Sequence, residues 1–261
     1  MSPDVTRDAP RRALMRIGII GAGNIGTILA RRLARVGHDV LIANSRAPET
    51  VPAAALSTGA RAVWAADAAA GADVVIVSVN LGQIPSVADL VAEAPAGAVV
   101  LDTSNYFPRR DGVIEGLGTG QNESEWVQAQ YRRPLVKVWN TITTASFADK
   151  ATPAGTPGRI ALPVAGDDDA QRRIGMELVE QTGFDAIDAG VIAESWRQQP
   201  GTPAYTTDLT AEQLPVALAA ADAARAARRR DLMMEVLLER AEPDGTLPGP
   251  DFQLALTRLL F

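Results

Sequence analysis

The chain has no cysteine and one histidine, His38, among its 261 residues. Without thiols there is no disulfide scaffold, no Cys-ligated zinc, no iron–sulfur cluster and no thiol nucleophile. One histidine leaves a His-based triad or a multi-His metal site almost nothing to work with. Basic residues are not in excess: 25 Lys and Arg face 31 Asp and Glu, for a net charge of −6. That balance argues against a general nucleic-acid binder. It leaves open the binding of a single nucleotide, because backbone N–H groups hold phosphates without net positive charge. No apolar run approaches the roughly 18 residues of a membrane-spanning helix. The stretch up to Arg12 is polar, carries Pro3 and Pro10 and lacks the apolar core of a secretory signal. Residues 1–14 therefore read as a loose tail, and a soluble cytoplasmic protein is expected.

What is present is an alternation of apolar runs and amphipathic stretches. Ile17-Gly18-Ile19-Ile20 reads as a buried parallel strand. Ile25, Ile28, Leu29, Leu33 and Val36 then fall on one helical face, closed by Gly37. Val40–Ala43 is the next strand. Further strands are expected at Ala62–Trp64, Val74–Val77, Ala98–Leu101, Leu135–Trp139, Arg159–Leu162 with Val164, and Ala186–Ile187. Helices are expected at Ala53–Ser57, Ile84–Ala92 and Asp168–Gln181. This alternation predicts an α/β class fold with a doubly wound, mostly parallel sheet of Rossmann type over residues 15–190. After Gly190 the pattern changes. Glu194–Thr206 reads as a long ordered loop, and Thr210-x-x-Gln213 as a capping box opening a helix that runs to about Arg240. Pro215 allows the start to fall a turn later. Pro243–Pro250 is a loop and Phe252–Leu260 a terminal helix, so residues 191–261 form a loop and a small helical extension that covers the sheet or makes a homodimer contact.

The strongest motif is Gly21-Ala22-Gly23-Asn24-Ile25-Gly26. It follows a buried strand and opens an amphipathic helix, the context in which G-x-G-x-x-G binds dinucleotides. Gly21 permits the tight turn, Gly23 lets the backbone approach a pyrophosphate, and Gly26 lets helix and strand pack closely. The next strand ends in Asn44-Ser45-Arg46. An NAD-binding unit usually places Asp or Glu there for the ribose 2′-OH. Here a guanidinium and two neutral donors stand instead, which points to NADP(H); the competing reading of Arg46 is a solvated loop residue. His38, in a Gly-His-Asp turn, is expected at the surface.

Ligands of a doubly wound sheet sit beyond the carboxyl ends of its strands. Those ends carry Ser78-Val79-Asn80, Asp102-Thr103-Ser104-Asn105-Tyr106 and Asn140-Thr141. Such residues are also ordinary turn formers, but three polar endings in consecutive strands favour a polar cleft. Together, Arg16–Gly26, Asn44–Arg46 and Val136-Lys137-Val138-Trp139-Asn140-Thr141-Ile142 resemble the deazaflavin (coenzyme F420)-dependent NADP oxidoreductase family. The resemblance covers roughly Met15 to Gly190. It implies a Rossmann-type domain that passes hydride between NADP and a deazaflavin. It also implies that Gly21–Gly26 hold the pyrophosphate, that Asn44, Ser45 and Arg46 hold the 2′-phosphate, and that Ser78, Val79 and Asn140 lie by the nicotinamide. The chain departs from compact members in the stretch Asn105–Trp126 and in Glu194–Gly201 with the long tail, both where the second substrate is expected.

Hydride transfer between two rings needs stacking and dryness more than an acid. Reduction of a carbonyl or imine needs a proton donor. Tyr106, Tyr131, Tyr205 and Lys137 are available, and Tyr106, just past a strand end, is the expected catalytic donor; the competing reading has it packed under the loop. Trp196 and Arg197 are candidates to close over a substrate ring or anion, or else anchor their loop. Arg225 and Arg228–Arg230 read as a solvated basic face or as a contact for an acidic cofactor tail. Three activities fit these residues: transfer between NADP(H) and a deazaflavin or flavin-like partner, reduction of a small carbonyl or imine, and NADP sensing without turnover.

Overall fold

The computed structural model describes residues 14–119 and 121–261. All of the N-terminal tail but Leu14 lies outside them. Eight strands form one sheet: β1 Arg16–Ile20, β2 Asp39–Ala43, β3 Arg61–Ala62, β4 Val74–Val77, β5 Val99–Asp102, β6 Val136–Lys137, β7 Ala161–Gly166 and β8 Asp185–Asp188. Their spatial order is β3-β2-β1-β4-β5-β6-β7-β8. Every pairing is parallel except β6 with β7. The helices are α1 Asn24–Arg35, α2 Ala53–Leu56, α3 Ala65–Ala69, α4 Ile84–Ala92, α5 Pro108–Asp111, α6 Glu123–Tyr131, α7 Thr144–Asp149, α8 Asp169–Gln181, α9 Leu214–Ala219, α10 Ala223–Glu239 and α11 Pro250–Leu259.

The central strands are apolar on both faces because both faces are covered. On one side Ile17, Ile19, Val74, Ile76 and Leu101 pack with Leu29 and Leu33 of α1, Phe147 of α7 and Leu178 of α8. On the other, Ile20, Val75, Val77 and Val100 meet Ile84 and Val91 of α4 and Val127 and Tyr131 of α6. The expected doubly wound sheet is present, and the polar strand ends emerge along one edge of this sandwich.

Three local expectations are corrected. His38 is buried: Met15 N donates to its Nδ1 at 3.1 Å and its Nε2 lies 2.5 Å from Gln181 Oε1. It ties the start of β1 to the end of α8, a contact 143 positions away in sequence. Trp64 ends no strand. It is the extended residue before α3, and more than half of its surface is exposed. The single late helix is two. Gln213 Oε1 accepts from Thr210 N at 3.1 Å, and the helix then starts a turn later at Leu214 with Pro215 in its first turn. It stops at Ala219, and Asp222 caps α10 by accepting from Ala224 N at 3.0 Å.

The sheet leaves no room at Gly18. A methyl group there would come 1.9 Å from the backbone oxygen of Ala68 in α3. Gly97, on an exposed turn, would meet nothing within 4 Å. Gly18→Ala should therefore lower unfolding free energy by about 1–3 kcal/mol, and Gly97→Ala should stay within about 0.5 kcal/mol of the parent, as read from urea midpoints.

Candidate active site

The strand order reverses between β1 and β4, which is where a ligand crevice opens in such a sheet. Gly21 leaves β1 at φ +112°, and its N–H donates to Ala43 O of β2 at 2.8 Å. A Cβ on Gly21 would lie 2.2 Å from Ser78 O, and one on Gly26 would lie 1.9 Å from Gly21 O. At both positions backbone touches backbone. Gly23 differs: a Cβ there would meet nothing within 4 Å, so its missing side chain leaves space on the cleft side. Gly23 precedes α1 with no side-chain cap, and the first turn holds no acid. The leading N–H groups and the positive end of the helix dipole thus face an open approach suited to a pyrophosphate.

The turn after β2 is pinned by Asn44. Its Oδ1 accepts from Arg46 N at 2.8 Å, and its Nδ2 donates to Thr50 Oγ1 at 2.8 Å. Ser45 and Arg46 are exposed, and among the described residues the Arg46 guanidinium has no hydrogen bond or ion pair. The glycine loop, Asn44–Arg46 and Ser78–Asn80 line one cavity of about 640 Å³. A second, of about 720 Å³, shares Gly23, Ser78, Val79 and Asn80 with it and also takes in Asn24 and Ile25. The two make one groove across the sheet edge, with room for a dinucleotide and a further molecule.

The far half of this groove is walled by residues distant in sequence. Asn105, Phe107 and Arg110 come from the segment after β5, Tyr205 and Thr206 from the loop before α9, and Pro250 and Gln253 from α11. Arg110 lies over the Phe107 ring at 5.2 Å and is gripped by Asp111 through Nε at 3.0 Å and Nη2 at 2.9 Å. Tyr205 is buried, and its hydroxyl has no hydrogen-bond partner among the described residues. Burial, then the nearby Glu123 charge, raise its pKa, so the phenol keeps its proton. Asn140 and Thr141 do not reach the groove wall. Asn140 is buried behind it, donating to Asn105 Oδ1 at 3.1 Å and to Gln198 O at 2.8 Å, and thereby orients Asn105. Thr141 is also buried, and its carbonyl accepts from Thr206 N at 2.8 Å.

Tyr106, the expected proton donor, points the other way. It is fully buried; its hydroxyl donates to Gly112 O and accepts from Ile114 N, both at 3.0 Å. Asn105 and Phe107 line the groove and Tyr106 does not, because alternate residues of an extended segment face opposite sides. The tyrosine that does line the groove is Tyr205. Tyr131 donates to Asp102 Oδ2 at 3.0 Å. Burial, then the Asp102 charge, push its pKa well up. Lys137 is fully buried and donates to Asp102 Oδ1 at 2.8 Å and to the Ser104 carbonyl, so it fixes the end of β5. Trp196 and Arg197 do not line the groove either. Arg197 stacks on Trp196 at 4.4 Å and pairs with Glu194 at 2.6 Å, an anchor for the 192–198 turn. The late basic run divides by helical spacing: Arg228 is exposed, while Arg230 is buried over the Tyr106 ring at 5.2 Å.

Sequence reasoning did not single out Glu123 or Arg110. Asn122 signals the start of α6, since its Oδ1 accepts from Ser124 N at 2.9 Å, but nothing local marks the residue after it as buried. Glu123 accepts from Tyr106 N at 3.0 Å. Desolvation raises its pKa from 4.5 to about 7, against the pull of Lys137. The folded chain therefore holds a proton here that the unfolded chain releases. The stabilisation is complete below about pH 4.5 and is lost as pH rises through about 7. Between those limits it amounts to about 3 kcal/mol. Glu123→Gln should flatten that fall in denaturant stability between pH 5 and 8; an unchanged slope would locate the proton elsewhere.

Residues 16–106 match the family model described as NADP oxidoreductase, coenzyme F420-dependent. A Sinorhizobium meliloti protein of known structure is 33% identical over 76% of this chain and 96% of its own, with a TM-score of 0.63. A provisionally assigned F420-dependent NADP-reductase from Arthrobacter sp. FB24 is 26% identical over 70% of this chain and 87% of its own, with a TM-score of 0.57. The YjhV protein of Escherichia coli K12 is 55% identical over 56 residues; that match spans 41% of YjhV and 22% of this chain. With a dinucleotide groove at the sheet's switch point and these relatives, the chain belongs to the coenzyme F420-dependent NADP oxidoreductase family, as an NAD(P)-dependent enzyme on a Rossmann-type fold.

Proposed function

We propose that this enzyme uses NADP(H) and transfers hydride between it and a second planar substrate, for which a deazaflavin is the first candidate. The carrying observation is the turn after β2. It presents an exposed Arg46 guanidinium with no protein partner among the described residues, and it offers no carboxylate to a ribose 2′-OH. Gly21, Gly23, Asn24, Ile25 and Gly26 would hold the pyrophosphate, and Asn44, Ser45 and Arg46 the 2′-phosphate. Ser78, Val79, Asn80 and Asn105 line the path to the nicotinamide end. The cofactor, when bound, supplies or accepts hydride at its nicotinamide ring. The protein's own part is to orient the two molecules and exclude water between them. Val79, Ile142 and Phe107 give the groove its apolar surface.

A second reading rests on Tyr205. Tyr205 lines the groove, and its hydroxyl has no protein partner among the described residues. Reduction of a carbonyl or imine consumes one hydride and one proton, and the Tyr205 O–H can give that proton to the new alcohol or amine. Arg110, also on the groove wall, can bind an acceptor group of the same substrate.

Arg46→Ala should weaken NADPH binding about 10- to 100-fold, as loss of a charged hydrogen-bonding partner implies. NADH binding should change less than about 2-fold, because it has no 2′-phosphate. Fluorescence titration of both nucleotides decides it, and equal losses would remove the assignment of NADP. Tyr205→Phe separates the two substrate readings. Reduction of a ketone or cyclic imine should fall about 10²- to 10⁴-fold, while NADPH-to-deazaflavin transfer, followed by deazaflavin absorbance, should persist.

A further inference from the structure

Behind the Tyr106 segment, on the side away from the groove, lies a separate cavity of about 220 Å³ between α6, the 196–200 segment and the start of α10. Its wall carries two buried side chains of opposite charge, Glu123 and Arg230, each only 3% exposed. Each is held at one edge. Glu123 accepts from Tyr106 N through Oε2 at 3.0 Å, and Arg230 donates through Nε to Asp231 Oδ1 at 2.8 Å while its guanidinium lies over the Tyr106 ring. The remaining polar atoms, Glu123 Oε1 and Arg230 Nη1 and Nη2, have no protein partner among the described residues. The two groups sense each other electrostatically, yet they form no ion pair. Leu117, Trp196, Pro200 and Ala227 supply apolar lining, beside the polar Gln121, Asn122 and Gln199.

Arg230 is ion-paired through Nε with the half-exposed Asp231, but its two Nη atoms and Glu123 Oε1 still carry hydrogen-bonding capacity that no described residue uses and that a ligand in the cavity would meet. From this geometry we infer that the cavity is a binding site for a small zwitterion of amino-acid size, its ammonium on Glu123 and its carboxylate on Arg230. A molecule with one charged end would meet the free atoms of one group and leave those of the other unused. The carboxylate end meets a guanidinium fork, which favours bidentate contact. The site shares no lining residue with the cofactor groove and does not rest on the substrate assigned to it, although Glu123 also acts on the Tyr205 phenol. Its ligand would sit against the two groups that hold Tyr106, whose neighbours Asn105 and Phe107 line the groove.

The test is thermal melting and calorimetric titration of the full chain at pH 8, where Glu123 is ionised. The probes are glycine, alanine, β-alanine and proline, with propionate and ethylamine as single-ended controls. At least one zwitterion should raise Tm by about 3–6 °C at ten times its Kd, and the single-ended molecules should not. Ala227→Leu, on a partly exposed position of α10, fills the cavity and keeps both charges. It should fold and lose the response. Ala223→Leu, at the exposed first residue of α10, serves in its place if that variant does not fold. No response to any zwitterion, an equal response to propionate or ethylamine, or a response that survives the filling variant would each overturn the site.

Discussion

The structure depends on a backbone contact that no side chain larger than hydrogen can enter. Where β1 ends, the Gly21 carbonyl lies 1.9 Å from where a Cβ of Gly26 would sit, and the Ser78 carbonyl lies 2.2 Å from where one of Gly21 would sit. Three segments, the turn after β1, the first turn of α1 and the end of β4, are thereby pressed together. The closeness brings the start of α1 to the edge of the sheet, so its free N–H groups open on the groove rather than on bulk solvent. Gly23, with open space around it, is then the only glycine of the three whose role lies with a ligand. The cofactor half of the groove is a consequence of this contact together with the pinned turn at Asn44.

The second half of the groove rests on a different device. Lys137 is buried in the short β6 and reaches across to Asp102 and the Ser104 carbonyl at the end of β5. A buried pair of this kind adds little net stability, but removing one partner would leave the other charged and costs about 3–5 kcal/mol. Its effect is positional. It fixes the point at which the chain leaves β5, and so fixes which residues of the extended segment that follows face the groove. Tyr131, on the second oxygen of Asp102, and Asn140, on Asn105, complete the support from two further elements. The groove wall at Asn105 and Phe107 is thus held by charge and hydrogen bonds beneath it.

The sheet and the cofactor half were legible in the sequence because both are local. Strand, glycine turn, helix and second strand occupy under 30 consecutive residues, and hydrophobic periodicity reports each of them. In the far half only Asn105, at a strand end, was legible; Tyr205 and Gln253 meet it only after the chain has folded back twice. Choosing Tyr106 over Tyr205 illustrates the difference. Proximity to a strand end pointed to Tyr106, yet the period of two in extended chain turns it away whenever its neighbours face the groove. His38 was misplaced for a related reason: a Gly-His-Asp turn looks exposed until α8, far along the chain, brings Gln181 to it. The break between α9 and α10 carried a local signal, Asp222 followed by a helical run, but it lay inside an alanine-rich stretch whose propensity favoured one continuous helix.

These two kinds of construction divide the groove. Although the Sinorhizobium meliloti and Arthrobacter relatives align over 76% and 70% of the chain, the match to the family model ends at Tyr106, just past the end of β5. Phe107, Arg110, Tyr205 and Gln253, which wall the substrate half, all follow it. The same boundary separates local from long-range structure. The cofactor half of the groove is a turn and a helix start set by contiguous sequence and held against β2 and β4. The far half of the groove, where we place the second substrate, is a surface assembled from the segment after β5, the loop before α9 and the last helix, with Tyr205 packed against Met233 and Leu237 of α10. Changes confined to residues 191–261 can therefore reshape the substrate half while the pyrophosphate loop and the Arg46 turn keep their geometry.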